Sequence, residues 1–471
     1  VSVWVLPGLQ RYHYYPLAAA AGAVQFYTNY LNQSTGTDKL DIIVVPSPDQ
    51  GSNSGPLASL EGGLGLLSST EANFLIDPTL HPTSRLVEVI AAAEFGTALT
   101  QFLGGRAEDQ FLETGLARHL TTLALRDQTP RQEEWMDSNR AESTLRALSY
   151  DTGENAAPIL HDGPTDIYDP IQLDKAPAVF YMLQKLIGDE KFQVAIRHFV
   201  GASLESGRVT RTDFYAAVDY ATAGTLRDWC GRPLEARRFL EPWLSQPGFP
   251  VVEVAYEREQ DRFRLTQRPS TGDSQYSWPV PLFIGTSAVT TLFQWLASAG
   301  ETCPSGQKTA YVNGRRALVN RGMASYLRVD YDDQSFQRLS DAAFVNLRFP
   351  LSCAEKAQLL QDTQYLVNEY RQTSYERLYG LNAHLLPSPV AGPACSVVAG
   401  LQGEGLEAIV EGGEKILKER QATAKGGDKS QSVEKTPIRG ASKPQHQVVI
   451  EAAPPRRSPR VHGVAVPPRQ N

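Results

Sequence analysis

Apolar positions recur at helical spacing through much of the first 245 residues of this chain and alternate in short runs after residue 247. Residues 84–105, S-R-L-V-E-V-I-A-A-A-E-F-G-T-A-L-T-Q-F-L-G-G, carry Leu86, Val89, Ile90, Ala93, Leu99 and Leu103 at helical intervals. Ser84 can cap the start of that helix and Gly104-Gly105 can end it. A second helix is predicted at 106–125, with Leu112, Leu116, Leu120 and Leu123 as its inner stripe and Glu108 and Asp109 in the first turn, where they suit the helix dipole. Helical patterns return at 16–31, from Asp174 onward (K-A-P-A-V-F-Y-M-L-Q-K-L-I, a G-D-E turn, then 191–199), after the capping-box pattern Thr210-x-x-Asp213, and at 239–244. Strands are predicted at 2–6, at the β-branched run 39–46, and at 58–68, a Gly-broken segment suited to a sheet edge. Residues 128–154 are polar and predict loop with a short helix.

Beyond Pro247 the texture changes. V-V-E-V-A-Y, R-F-R-L-T-Q, W-P-V-P-L-F-I, T-A-Y-V-N and S-Y-L-R-V-D-Y are short strands between turn residues, the signature of a β-sandwich. A helix follows at 359–370. After about residue 386 the aromatics stop and Gly, Pro, Ser, Lys and Glu dominate, which predicts a disordered tail.

Composition adds bounds. A chain of 471 residues exceeds one ordinary core and suggests roughly two to four domains. With 41% hydrophobic and 21% charged residues it has a globular balance, and a net charge of -7 gives no reason to expect nucleic acid or an anionic membrane as partner. No apolar run reaches the ~20 residues a membrane helix needs. The four cysteines, Cys230, Cys303, Cys353 and Cys395, form no C-x-x-C motif, and their spacing leaves a Cys303–Cys353 bridge open. The chain opens on Val1 with no secretory leader pattern, as a fragment or a processed end would.

Candidate chemistry is sparse. His81, Glu88, Glu94, Glu113 and His119 are the donors from which a metal site could be assembled, but none of their spacings is ligand-like, and surface or capping roles weigh more. Gly62–Gly65 lacks the Lys-Ser/Thr of a phosphate loop, and no G-x-S-x-G elbow occurs. Tyr12, Tyr14, Tyr15, Phe26, Tyr27 and Tyr30 suit packing better than a binding platform. Arg456, Arg457 and Arg460 read as a solvated run.

One resemblance organises the whole. In F-L-E-P-W-L-S-Q-P-G-F-P-V-V-E-V, the residues Phe239, Trp243, Gln246, Gly248, Pro250 and Val254 resemble the junction of the gluzincin aminopeptidases (the aminopeptidase N, or membrane alanyl aminopeptidase, family). Trp278-Pro279-Val280-Pro281-Leu282 is similar to that family's W-P-x-P-L strand. Asn320 with Tyr326-Leu327-Arg328-Val329-Asp330-Tyr331 is similar to its N-x-G…Y-Y-R-V-N-Y strand, and Leu360-Gln361-Asp362 to the start of its C-terminal helical domain. Upstream, Lys39-Leu40-Asp41…Val45-Pro46 resembles the strand leading to the substrate edge, and Ile171-Gln172-Leu173-Asp174-Lys175-Ala176 resembles I-S-Y-x-K-G.

The resemblance, over residues 1–385, implies an α+β multidomain fold. A helical, thermolysin-like domain with a small sheet occupies 1–245, a β-sandwich 246–350, and the truncated start of a C-terminal helical domain 351–385, with the disordered tail at 386–471. It also implies an extracellular or membrane-associated ectodomain.

The chemistry of such an enzyme needs two His ligands at i and i+4, a Glu beside the first as general base, and a Glu ligand from the next helix. Aligning Gln101-Phe102-Leu103-Gly104 with the family's Q-W-F-G places Gly96 and Thr100 at the His positions and Thr97 at the Glu. Leu112-Glu113-Thr114-Gly115 against L-N-E-G places Thr114 at the third ligand. A shift of three residues would put Glu94 at the base position, yet no frame restores histidines, because none lies between His81 and His119. Leu173 takes the place of the tyrosine that would stabilise the tetrahedral intermediate. Glu61 in Ala58-Ser59-Leu60-Glu61-Gly62 lies in register with the amine-binding Glu of G-A-M-E-N, where it either pairs with a peptide α-amine or stands as a solvated edge carboxylate.

The expected function is a catalytically inactive homologue, with no catalytic residue, metal or cofactor, that binds a peptide or protein. A divergent zinc aminopeptidase and a fragment without molecular role are the alternatives.

Overall fold

The computed structural model describes residues 1–5, 14–33, 41–45, 58–61, 64–68, 109–128, 133–160, 171–206, 210–298, 308–345, 349–367, 377–378 and 381. Residues 1–416 form one unit; the second, 417–471, lies outside the described residues, as does the expected tail. Helices and small sheets coexist, so the fold class is α+β.

Strand β1 (Ser2–Trp4) leads to helix α1 (Tyr14–Leu31), which buries Ala20, Ala23, Tyr27 and Leu31 at intervals of three and four. Strands β2 (Asp41–Val45), β3 (Ala58–Glu61) and β4 (Leu64–Ser68) complete a sheet of order β1-β2-β4-β3. The first three in that order are parallel, and β3 returns antiparallel as the edge. The segment expected as one Gly-broken strand is thus two antiparallel strands, with Glu61 of β3 opposite Leu64 of β4.

Helix α2 (Gln110–Gln128) buries the predicted stripe, with Leu112, Leu116 and Leu120 at 0% exposure. The expected helix at 84–105 lies outside the described residues. Helix α3 (Glu133–Tyr150) is an 18-residue helix where a loop with a short helix was expected at 128–154. Its apolar face is a thin one of Ala141, Leu145, Ala147 and Leu148, widened by buried Thr144 and Arg140, whose guanidinium lies 3.9 Å from the Tyr181 ring centroid.

A π-helical turn (Ile171–Lys175) runs into α4 (Ala176–Ile187). Gly188, at φ +88°, turns the chain into α5 (Asp189–Ser206). Arg197 of α5 donates to the carbonyls of Tyr30 (2.7 Å) and Asn29 (2.9 Å), satisfying the open C-terminal end of α1. Thr210 caps α6 (Arg211–Thr222), accepting from the Asp213 amide at 3.3 Å, and α7 (Ala236–Ser245) closes the helical half.

The strands that follow are β5 (Pro250–Glu257), β6 (Arg262–Pro269), β7 (Val280–Gly285), β8 (Thr291–Leu296), β9 (Ala310–Asn313), β10 (Leu318–Val319) and β11 (Arg328–Tyr331). They form two sheets, β11-β5-β6-β9 and β10-β7-β8. Alternation holds: Phe263 and Leu265 are buried, while Arg262, Arg264 and Arg268 face outward and pair with Glu257, Glu253 and Asp330. Helices α8 (Asp333–Ser340) and α9 (Cys353–Tyr365) follow, the latter started by a full capping box between Ser352 and Glu355. Cys230 and Cys353 are each disulfide-bonded; Cys303 and Cys395 lie outside the described residues. No helix among the described residues is long and apolar enough to cross a membrane.

Candidate functional site

Gly115 sets how closely α2 meets α4. A Cβ built there would stand 2.6 Å from the Ala176 Cβ, so only glycine allows this crossing. The approach brings the helix that carries Thr114 onto the π-helical turn that carries Leu173. Arg118, one turn past Thr114 on the same face of α2, donates from Nη1 to the Leu173 carbonyl at 2.7 Å and lies 3.4 Å from Asp174 Oδ1. Asp174 also accepts from Arg146 (2.7 and 2.9 Å) and from Ser143 Oγ (2.6 Å), which fixes the turn from both sides. Leu173 is half-buried.

Two of the sequence-derived family positions, Thr114 and Leu173, therefore sit on packed neighbouring elements. Gly96, Thr97 and Thr100, with His81, Glu88 and Glu94, lie outside the described residues. Glu61 is the last residue of β3, opposite Leu64, on the edge strand of its sheet.

His119 corrects the surface or capping role expected of it. It is 2% exposed, its Nε2 lies 2.7 Å from Gln184 Oε1, and its ring meets Phe192 and Tyr181 edge-on. Gln184 in turn donates to Asp189 at 2.8 Å. Burial holds the imidazole pKa down at about 3, partly countered by the Gln184 hydrogen bond, so the ring is neutral at ordinary pH. Its stable place is the core. No group of three or more His, Cys, Asp or Glu among the described residues is arranged to hold a metal ion.

The motifs that carried the resemblance prove to be junction chemistry. Lys175 Nζ pairs with Asp151 Oδ2 at 2.8 Å and donates to the carbonyls of Ala157, Gln246 and Gly248. Asp151 also accepts from the Gly248 amide (2.9 Å) and the Tyr326 hydroxyl (3.2 Å). One buried ion pair thereby ties α3, the π-helical turn, the Gln246–Gly248 link and the segment leading into β11. A second does the same further on: Arg328 Nη1 meets Asp362 Oδ1 at 2.9 Å, and the Val329 amide donates to Asp362 Oδ2. Burial raises the Asp362 pKa to about 6 against the pull of Arg328. Sequence reasoning did not single out Asp151 or Arg118. Asp151 follows α3, in a stretch expected as loop with a short helix, and no spacing ties it to Lys175.

Comparison with known proteins places this geometry. Residues 15–232 match the peptidase family M1 domain. The chain is 25% identical over 333 residues to Tricorn protease-interacting factor F2 of Thermoplasma acidophilum (69% of this chain, 38% of that one). It is 23% identical over 413 residues to endoplasmic reticulum aminopeptidase 2 of Bos taurus (79% and 41%), and 23% identical over 376 residues to a candidate aminopeptidase-2 of Caenorhabditis elegans (78% and 19%). It thus spans well under half the length of each of these relatives. Taken with the junction residues, these matches show that residues 15–232 are similar to the peptidase family M1 domain and that the chain is similar to M1 aminopeptidases.

Proposed function

We propose that this chain is a catalytically inactive M1 homologue that binds a peptide or protein through the former substrate cleft. The observation that carries the reading is the donor set. Zinc in this family needs two imidazoles and a carboxylate, and the matching positions here are Gly96, Thr100 and Thr114. Glycine offers no side-chain donor, and a threonine hydroxyl is not a zinc ligand at neutral pH. The residues do not fit the metal. Arg118 adds a fixed positive charge one turn from Thr114, which opposes a divalent cation there, and Leu173 cannot donate to an oxyanion. In this reading the two sheets after residue 246 form a β-sandwich domain, 351–385 begins a helical domain, and Glu61 on the sheet edge anchors a peptide amine.

The names of the matched relatives favour a second reading, a divergent metalloaminopeptidase that releases N-terminal residues with a rebuilt site. Metal content and hydrolysis of aminoacyl amides by the full chain separate the two. A cooperative unfolding transition separates both from a product without a role.

A further inference from the structure

Among the described edge strands of the two C-terminal sheets, β8 alone has three successive exposed residues. Among the described residues it pairs only with β7, and it forms the outer edge of its sheet. Thr291, Leu292 and Phe293 are exposed, Phe293 at 46%, and Val289 at the hairpin tip is 94% exposed. The run from Thr286 to Leu296, T-S-A-V-T-T-L-F-Q-W-L, contains no charge, proline or glycine, in a chain that is 21% charged. Edge strands ordinarily carry such residues because they block pairing with another chain. Residues rich in β-branched and aromatic side chains, left open on an edge, are a template for a further strand.

The exposed aromatic surface also continues an interface that the chain already makes. Phe239 of α7 and Trp229 pack on Trp295, with ring centroids 5.8 and 5.5 Å away. Trp295 meets Phe293 at 5.4 Å, and Phe293 meets Phe283 across the hairpin at 5.4 Å. The row starts in the core and emerges at Phe293. At the far half of β8, the Gln294 side chain donates to the Tyr311 carbonyl at 2.9 Å, so the open part of the edge is 291–293.

We infer that this edge is a self-association surface, on which β8 of a second copy pairs antiparallel about a two-fold axis. Such an axis sets residues 291–293 against the same residues of the other copy. The uncharged run therefore faces itself without repulsion, and the two Phe293 rings extend one aromatic row into the other. This does not depend on the fate of the metal site. Sedimentation velocity of the full chain from about 1 to 100 μM, the range in which modest interfaces assemble, tests it. The expected result is concentration-dependent dimer of twice 51.7 kDa, with Phe293→Lys and Thr291→Lys each weakening association at least about tenfold by setting like charges near one another. Val194→Lys, at a 43%-exposed site on α5, should leave association unchanged. Far-UV circular dichroism confirms that each variant is folded, and two independent edge substitutions guard against failure of one. A chain monomeric throughout the range, including one that instead binds an added extended peptide, overturns the inference. So does a dimer indifferent to both edge lysines.

Discussion

Lys175 Nζ and Asp151 Oδ2 lie 2.8 Å apart with neither side chain exposed, and they join four segments of the chain. Removing one partner strands the other's charge in the core. Lys175→Met or Asp151→Asn alone should destabilise by about 3–5 kcal/mol, while the double variant should cost less than the sum of the two. Urea unfolding of the three variants checks this.

Gly115 makes a complementary test of packing. Gly115→Ala inserts a methyl 2.6 Å from the Ala176 Cβ and should cost about 1–3 kcal/mol despite the higher helix propensity of alanine. Adding Ala176→Gly should recover part of the loss. A Gly115→Ala chain that gained stability would show that α2 and α4 do not cross so closely.

His119 makes the fold acid-sensitive. Its folded pKa of about 3 lies below the ordinary 6.5, so its contribution is fully present above 6.5 and is lost as pH falls toward 3. Each unit below 6.5 should cost about 1.4 kcal/mol from this group. Unfolding free energies at pH 7 and pH 5 should differ less in His119→Gln than in the parent chain.

Asp362 works in the opposite sense. Its folded pKa, raised from 3.8 to about 6, means that its contribution is fully present below 3.8 and lost as pH rises through 6. Asp362→Asn should therefore remove a stabilisation that grows on acidification, and its stability should fall more steeply than that of the parent chain between pH 6 and pH 4.

Much of the fold was legible where burial follows one clear period. The Leu112–Leu123 stripe of α2 and the alternation of β6 are examples. His119 belongs to that same stripe, three residues after Leu116, and its core position could have been read from spacing rather than from residue type. Helix α3 was legible only as a short helix because its buried face is mostly small residues and an arginine, which a hydropathy pattern assigns to the solvent side. At the candidate site, Leu173 and Thr114 came from resemblance alone. Their neighbour Arg118 was hidden because its partner is a backbone carbonyl 55 residues away, and Asp151 because its partner Lys175 comes from another element.

Loss of the zinc chemistry is read out by elemental analysis of the purified full chain after equilibration with Zn²⁺, run beside hydrolysis of aminoacyl fluorogenic amides. No stoichiometric zinc and no chelator-sensitive turnover are expected. One zinc per chain with turnover abolished by a chelator would contradict this.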